Sequence, residues 1–214
     1  MNCEEGIQMA HINYWDSYYS NRPQSDKLIP SQFAVFVANE LQEKHQIIEF
    51  GCGNGRDSFF FADLGHDVLA IDASQVAIDL CKKYNATKVN FLCNKITDLN
   101  HNDILRRVNP DLDLLIYSRF FLHAITENDE NSFFELISKI KDNFTLAVEF
   151  RANKDAMLIK ETSQHFRRFI NPLELLRKIQ TYSLEPLYYV EGFGYAKYKK
   201  DDAYVARIVA KRTI

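Results

Sequence analysis

Glycine, proline, methionine and cysteine are all scarce in this sequence, with seven, five, three and four residues respectively among 214. The cysteines show no C-x-x-C spacing and no paired histidines nearby, so we expect neither a disulfide framework nor a bound metal. Positive charge is not in excess either, because 26 lysines and arginines stand against 29 acidic residues. The composition therefore gives no reason to expect nucleic acid or a membrane surface as a partner.

Long apolar runs are missing as well. The first twenty residues contain Glu4, Glu5 and Asp16, which disfavours a signal peptide, and no later run is long enough to span a bilayer. We therefore expect a cytoplasmic protein. Because 46% of the residues are hydrophobic and no repeat or linker divides the chain, we predict one domain over residues 1–214.

The few glycines are clustered. Gly51, Gly53 and Gly55 directly follow the apolar run 47–50 and precede a stretch with helical spacing, after which a second strand ends in Asp72. Glycine has no Cβ, so it lets the backbone approach a ligand closely and lets a strand turn directly into a helix. This order of elements predicts a loop that binds a nucleotide-like ligand.

Strand and helix patterns alternate along most of the chain. Ser31 caps an amphipathic helix that leads into the first strand, and the two last strands are joined by only eleven residues, 192–202, which favours an antiparallel pair. We predict an α/β fold with a Rossmann-like, doubly wound, seven-stranded sheet that is mostly parallel and has an antiparallel final strand. The other predicted strands are 88–93, 112–117, 144–150, 184–191 and 203–210, and the other helices are 75–83, 104–108, 131–141 and 173–181.

Two ligands fit a glycine loop of this kind. A dinucleotide requires G-x-G-x-x-G, but here the third glycine position falls on Arg56 or Ser58, and Asp57 would then stand beside the phosphates. S-adenosylmethionine instead carries an ammonium and a sulfonium and no phosphate, which suits Glu49 before the loop. The dinucleotide alternative, an NAD-dependent oxidoreductase, remains open at this point.

The stretch IIEFGCGNGRDSFFFADLGHDVLAIDAS, residues 47–74, resembles class I S-adenosylmethionine-dependent methyltransferases of the small-molecule bacterial type. In that family the loop binds the methionine part of the cofactor, and the acid that ends the second strand binds the ribose. The resemblance extends from about Tyr14 to the C-terminus and implies S-adenosyl-L-methionine as the cofactor. The cofactor-binding residues that it implies are Glu49, Gly51, Cys52, Gly53, Asn54, Gly55, Asp72, Ala73, Asn94, Lys95, Ile96, Ser118 and Trp15.

The sequence departs from the family at the adenine end of the site. Residues 89–99, aligned with the family's third strand, place Lys95 where an aspartate commonly receives the adenine amino group. Adenine recognition then falls to Asn94, to Thr97 or to the backbone of Ile96. The alternative for Lys95 is a solvated loop position.

By the same resemblance, residues 111–125 border the transferable methyl group, and they supply the candidate catalytic residues His123, Arg119 and Tyr117. His123 is either a general base, a hydrogen-bond donor to the substrate, or a structural imidazole. The stretch has no D/N-P-P-Y element and no Pro-Cys pair, which are typical of DNA-methylating relatives. We therefore expect a small-molecule substrate and no nucleic acid.

Several basic residues are candidates for binding an anionic acceptor, because arginine matches the geometry of phosphate and carboxylate. Adjacent arginines at 167 and 168 cannot both face one site, so at most one of them contacts substrate, and ordinary surface arginines are the alternative. The predicted substrate-binding residues are Arg151, His165, Arg168 and Tyr195, the last in the flexible rim 192–202.

Aromatic residues are dense near the N-terminus, at Tyr14, Trp15, Tyr18 and Tyr19. They indicate either a lid over the site, formed by residues 1–30, or simple helix packing. Together these patterns predict transfer of a methyl group to a polar, anionic or sugar-like small molecule, with oxygen favoured as the acceptor atom. A non-catalytic S-adenosylmethionine-binding module is a further alternative. The sequence does not indicate an oligomeric state.

Overall fold

A seven-stranded sheet forms the centre of the protein in this computed structural model, which describes residues 3–21, 28–84, 87–158, 160, 165–198 and 200–213. The strands in chain order are β1 His45–Phe50, β2 Asp67–Asp72, β3 Val89–Cys93, β4 Asp113–Arg119, β5 Phe144–Arg151, β6 Leu184–Gly192, β7 Lys197–Tyr198, β8 Asp201–Asp202 and β9 Val205–Arg212. The short strands β7 and β8 pair with each other in a separate two-stranded sheet.

The strand order in the main sheet is β3-β2-β1-β4-β5-β9-β6. Strands β1 to β5 are mutually parallel, and β9 runs antiparallel between β5 and β6. The order reverses between β1 and β4, where doubly wound sheets open a crevice for a ligand beyond the carboxyl ends of their strands. The predicted fold class is confirmed.

The helices are α1 Cys3–Ser20, α2 Gln32–Glu40, α3 Arg56–Asp63, α4 Gln75–Lys82, α5 His101–Leu105, α6 Glu127–Ile137 and α7 Pro172–Thr181. Two of them begin earlier than the apolar pattern predicts, because polar caps fix their first turns. The Asn100 side chain accepts the N–H of Asn102 to start α5, and a reciprocal capping box between Thr126 and Asp129 starts α6. No helix among the described residues is both long and apolar enough to cross a membrane.

The core lies on both faces of the sheet, and alternation along each strand decides which side chain joins which face. On β1, Ile48 and Phe50 belong to one apolar cluster and Ile47 to the other. On β4, Ile116 points to the first cluster and Tyr117 to the second. This alternation sets the direction of the side chains that emerge at the carboxyl edge, where the candidate site lies.

Candidate cofactor and acceptor site

A cavity of ≈ 830 Å³ opens at the carboxyl edge of the sheet. It has the volume of a small-molecule site and is lined by the ends of the central strands, by α1 and by the segment around β7. We call its two ends the cofactor half, around the glycine loop, and the acceptor half, around the ends of β4 and β5. The acceptor half includes Arg119, Phe120, Phe121, His123, Ile125, Asp129, Arg151, His165, Phe166, Arg167 and Asp201.

The glycine loop has the backbone geometry that only glycine adopts easily. Gly51, Gly53 and Gly55 have φ values of 74°, 54° and 73°, in the left-handed region. A Cβ at Gly51 would come within 3.0 Å of Phe121, and one at Gly53 would collide with the hydroxyl of Tyr19. Gly51 and Gly53 line the cavity directly, whereas Gly55 lies behind it as the N-cap of α3.

Asp72 ends β2 beside this loop and lines the cavity. Its Oδ2 accepts the backbone N–H of Gly53 at 2.8 Å, and its Oδ1 accepts the N–H of Ser74 at 2.9 Å. Burial raises the pKa of Asp72, and the two backbone hydrogen bonds oppose that shift. The carboxyl is thus held in one orientation, with each oxygen able to accept a further hydrogen bond.

Two more carboxyls lie at the cofactor half. Glu49 is buried and accepts a hydrogen bond from the Ser58 hydroxyl. Burial, and then the charge of Asp57, raise the pKa of Glu49 well above its ordinary value. Asp57 accepts hydrogen bonds from the N–H and hydroxyl of Ser31, each at 2.7 Å, and from the Tyr117 hydroxyl at 2.9 Å. Arg56 and Lys95 also line this half, so its three carboxyls exceed its two cations by one.

The residues predicted at the adenine end also line the cavity, including Ala73, Asn94, Lys95, Ile96 and Thr97. The backbone N–H of Asn94 donates to the carbonyl of Asp72 at 3.0 Å, which ties the end of β3 to the end of β2. The alternatives for adenine recognition stay open. Cys52 and Asn54 in the loop and Trp15 in α1 line the same cavity.

His123 lies in a short 3₁₀ turn, Leu122–Ala124, after β4 and is buried while lining the acceptor half. Its Nδ1 accepts the backbone N–H of Arg151 at 3.1 Å. Burial, and then the charges of Arg151 and Arg167, lower the pKa of the imidazole well below its ordinary value. The ring is therefore neutral with its proton on Nε2, so it fits the donor alternative and not the general base.

Arg119 emerges from β4 into the cavity, whereas Tyr117 and Ser118, which precede it on the strand, do not line it. Its Nε donates to Glu149 at 2.8 Å, and its guanidinium lies 4.1 Å from the centre of the Phe120 ring. Burial disfavours the charge of Arg119, but Glu149 and Asp57 outweigh it and raise the pKa.

Tyr117 and Ser118 are fully buried beneath the cavity. Burial, and then Asp57, raise the pKa of the Tyr117 phenol well above its ordinary value, and its hydroxyl is bonded to Asp57. This placement contradicts a catalytic role for Tyr117. Ser118, predicted at the cofactor, also lies outside the cavity, and its hydroxyl has no hydrogen-bond partner among the described residues.

Only some of the predicted substrate-binding residues line the cavity. Arg151 and His165 line the cavity, and Arg151 donates to Asp155 at 2.7 Å and to Asp201 at 2.6 Å. Arg168 does not reach the cavity, because its guanidinium binds Glu130 and the carbonyl of Leu122.

Arg167 lines the acceptor half in place of Arg168. Its Nη2 lies 3.1 Å from Nδ1 of His165. Tyr195 is likewise turned away, since its ring packs 4.9 Å from the Arg207 guanidinium. The adjacent Ala196, Lys197 and Tyr198 line the rim instead.

Helix α1 contacts both halves of the cavity. Asp16 accepts a hydrogen bond from the hydroxyl of Ser74, next to Asp72. Tyr14 stacks on His165 with ring centres 4.1 Å apart. Trp15, Tyr18 and Tyr19 of the same helix line the cavity.

Sequence reasoning missed the triangle of Ser31, Asp57 and Tyr117 and the bridge that Glu149 makes to Arg119 and Arg207, the latter at 2.7 Å. The sequence offered one signal for a charged cluster here, because side chains alternate along β5 and Glu149 and Arg151 therefore lie on the same face of the sheet. The described residues contain no group of three or more metal-ligating side chains.

Comparisons with known proteins agree with this architecture. Residues 47–141 match the family model described as a methyltransferase domain. A curated relative, the ubiquinone biosynthesis O-methyltransferase of Rickettsia conorii, is 26% identical over an alignment of 165 positions, which covers 70% of this chain and 54% of the relative. The chain thus spans about half the length of that relative.

Solved structures share the fold at low identity. A methyltransferase dependent on S-adenosylmethionine from Anabaena variabilis has a TM-score of 0.73 and 18% identity, over 99% of this chain and 96% of that chain. The 1,6-didemethyltoxoflavin-N1-methyltransferase of Burkholderia thailandensis, solved with its substrate and S-adenosylhomocysteine, has a TM-score of 0.67 and 13% identity, over 100% and 92% of the two chains.

Residues 47–141 thus match a methyltransferase domain, and the solved structures share the fold, in agreement with the resemblance of residues 47–74 to class I S-adenosylmethionine-dependent methyltransferases. The Burkholderia structure holds S-adenosylhomocysteine, the demethylated form of the cofactor that the resemblance implies.

Proposed function

We propose that the protein transfers the methyl group of S-adenosylmethionine to a polar, anionic or sugar-like small molecule, with oxygen favoured as the acceptor atom. The observation that carries this proposal is the opposite character of the two halves of the cavity. The cofactor half has three carboxyls, Glu49, Asp57 and Asp72, against Arg56 and Lys95, whereas the acceptor half has Arg119, Arg151 and Arg167 against Asp129 and Asp201. Carboxyls thus exceed cations in the first half, and guanidinium groups exceed carboxylates in the second. A cationic cofactor and an anionic acceptor are each attracted to the half of opposite charge.

The residues of the cofactor half fit S-adenosylmethionine. Glu49 and Asp57 lie where an ammonium gains from negative charge, and the backbone of the glycine loop is open to a carboxylate. Asp72 offers one further acceptor position on each oxygen, which suits the two hydroxyls of a ribose. Glu49 and Asp57 disfavour a dinucleotide, because they would lie near its negatively charged pyrophosphate.

In the acceptor half, hydrogen-bond donors of the protein bind the substrate. Arg119 and Arg167 present guanidinium groups to the cavity, and His123 presents a neutral N–H at Nε2. Methyl transfer from a sulfonium is an in-line displacement, so these residues act chiefly by orienting the acceptor. Oxygen as the acceptor atom is supported by the name of the Rickettsia relative, an O-methyltransferase at 26% identity.

We keep the single domain over residues 1–214 as part of the proposal, with residues 1–30 acting as a lid. Two contacts of α1 support this role, because they link one helix to both halves of the cavity. Asp16 accepts a hydrogen bond from Ser74, and Tyr14 stacks on His165. Residues 1, 2 and 22–27 of that segment lie outside the described residues. Cytoplasmic location and the lack of a nucleic-acid or membrane partner stay predictions from the sequence.

The proposal is tested by turnover. The purified protein is incubated with methyl-tritiated S-adenosylmethionine and a size-filtered metabolite extract, and we expect label to move into small molecules as S-adenosylhomocysteine accumulates. Protein carrying Asp72→Ala is the negative control. Tight binding of S-adenosylhomocysteine without transfer to any sugar or anionic compound would favour the non-catalytic binding module instead.

A further inference from the structure

We propose that the acceptor atom is the oxygen of an ionised carboxylate, so that the product is a methyl ester. This inference rests on the proposed methyl transfer and specifies its substrate class. The geometry that points to it is that the described imidazoles and carboxylates of the acceptor half each already accept a hydrogen bond from a donor of the protein. A substrate that brings its own negative charge needs none of them to accept a proton.

His123 is the first of these groups. A general base must present an unprotonated nitrogen to the substrate, within hydrogen-bond reach of the proton that it removes. The unprotonated nitrogen of His123 is Nδ1, and it faces the backbone N–H of Arg151 at 3.1 Å. Its Nε2 therefore carries the proton, so this residue donates to the substrate.

His165 is held in a similar way. A guanidinium has no acceptor, so the 3.1 Å contact between Arg167 Nη2 and His165 Nδ1 places the imidazole nitrogen as the acceptor. Its ring is stacked on Tyr14. Both described imidazoles of the acceptor half thus direct their accepting nitrogens at protein donors.

The two carboxylates that line the described part of this half are engaged as well. Asp201 accepts from Arg151 Nη2 at 2.6 Å. Asp129 accepts from the N–H of Thr126 at 3.2 Å and from its hydroxyl at 2.8 Å, which starts helix α6. Both carboxylates are used in stabilising the walls of the site.

A hydroxyl acceptor must lose a proton during methyl transfer, whereas a carboxylate does not. In the proposed step, an electron pair of the carboxylate oxygen forms a bond to the methyl carbon as the carbon–sulfur bond breaks. The electrons of that bond go to sulfur, so a cation and an anion become a neutral thioether and a neutral ester. No proton is released, and no oxidant or reductant is needed.

The walls of the acceptor half suit this reaction. Charge disappears as the anion and the sulfonium react, so surroundings of low polarity favour the transition state. Phe120, Phe121, Ile125 and Phe166 supply such surroundings. Arg119 and Arg167 lie in the same half, where guanidinium groups match the two oxygens of a carboxylate.

The carboxylate proposal is tested by the kind of bond that holds the transferred methyl group in the product. Protein, methyl-tritiated S-adenosylmethionine and a panel of carboxylic acids, each paired with the corresponding primary alcohol, are incubated and then treated with mild alkali. The panel includes benzoate, phenylacetate, succinate and a size-filtered metabolite extract. Methyl esters release volatile tritiated methanol under these conditions, whereas methyl ethers and N-methyl groups are stable.

We expect most of the transferred label to become volatile, and the carboxylic acids to be methylated in preference to the alcohols. Label that is transferred but stays non-volatile would overturn the carboxylate proposal and leave the methyltransferase proposal standing. No transfer from a protein that binds S-adenosylhomocysteine, or no binding at all, would overturn both proposals.

A variant separates the donor role of His123 from the role of a base. His123→Gln keeps a donor and an acceptor, so we expect the transfer rate to stay within about tenfold of the wild type, whereas loss of a general base costs roughly 10²–10⁴-fold. His101→Gln, on α5 away from the cavity, is the matched control and should not change the rate. A loss of more than a hundredfold in His123→Gln alone would contradict the proposal.

Discussion

The backbone N–H of Arg151, at the end of β5, donates a hydrogen bond to Nδ1 of His123 across 3.1 Å. This contact joins two neighbouring strand ends and fixes the tautomer of the imidazole. Burial, and then the charges of neighbouring cations, lower the pKa of the same ring well below its ordinary value, which favours the neutral imidazole. His123, for which the sequence allowed the role of a general base, therefore donates a hydrogen bond through Nε2. An acceptor that has no proton to lose fits such a site.

Asp72 is predicted to bind the cofactor ribose. Asp72→Ala should weaken binding of S-adenosylhomocysteine by about 1.5–3 kcal/mol, because a charged hydrogen-bond acceptor is lost. Calorimetric titration measures this change. The matched control is Asp67→Asn at the opposite end of β2, where the side chain pairs with Lys44 at 2.8 Å, and this variant should bind like the wild type. Equal affinities in all three proteins would refute the assignment of Asp72.

Glu49 should make cofactor binding depend on pH. Burial raises its pKa, so the ligand-free protein keeps this carboxyl protonated above the ordinary value of 4.5. A cationic ligand favours the ionised form, so binding releases a proton and affinity should increase with pH in that window, by at most about tenfold per pH unit. Titrations of S-adenosylmethionine at several pH values test the slope.

The stability of the ligand-free protein should have the opposite slope. In the same window the native state binds more protons at Glu49 than the unfolded state does, so the free energy of unfolding should fall as pH rises. Glu49→Gln should flatten both dependences. An affinity that decreases with pH in the wild type would contradict the placement of Glu49 near the ammonium.

The triangle of Ser31, Asp57 and Tyr117 should contribute to stability. Asp57→Ala leaves buried donors from both partners without an acceptor, so we expect a loss of about 2–4 kcal/mol in the free energy of unfolding. Tyr117→Phe removes only one hydrogen bond and should cost about 0.5–1.5 kcal/mol. Urea unfolding measures both values. A larger loss for Tyr117→Phe than for Asp57→Ala would disprove this ranking.

Substitution of Arg167 should affect substrate binding, whereas substitution of the adjacent Arg168 should affect stability. Arg167→Gln should raise the KM for an anionic acceptor by roughly 10–100-fold, because a charge-assisted hydrogen bond is lost. Arg168→Gln should lower the melting temperature, since it removes one cation from the buried Glu130, and should change KM little. Steady-state kinetics and thermal unfolding measure the two effects. A reversed pattern would show that Arg168 faces the substrate.

Trp15 provides a direct signal of cofactor binding, because it is the one tryptophan in the sequence and it lines the cavity. S-adenosylhomocysteine should change its fluorescence with a saturable dependence on concentration. Trp15→Phe should remove the signal, and calorimetry should show that this variant still binds. Unchanged fluorescence in a protein that binds the ligand would argue against α1 as a lid.

Local patterns predicted the glycine loop, the antiparallel closing pair of strands and the cap at Ser31, since each depends on residues that are close together in the chain. The side chains that reach the cavity were harder to predict. Tyr117 is held by Asp57, 60 positions away, and Arg168 by Glu130, 38 positions away. Such partners are set by tertiary packing. Segment 165–169 has neither helix nor strand, so periodicity did not indicate which arginine faces inward.

The central claim is that the cofactor half of the cavity binds a sulfonium cofactor, and equilibrium titration tests it most directly. Calorimetry with S-adenosylhomocysteine should show saturable binding at one site per chain, whereas NAD at the same concentrations should give no binding heat. Binding of NAD in preference to S-adenosylhomocysteine, with loss of that binding in Asp72→Ala, would contradict the account and restore the oxidoreductase alternative.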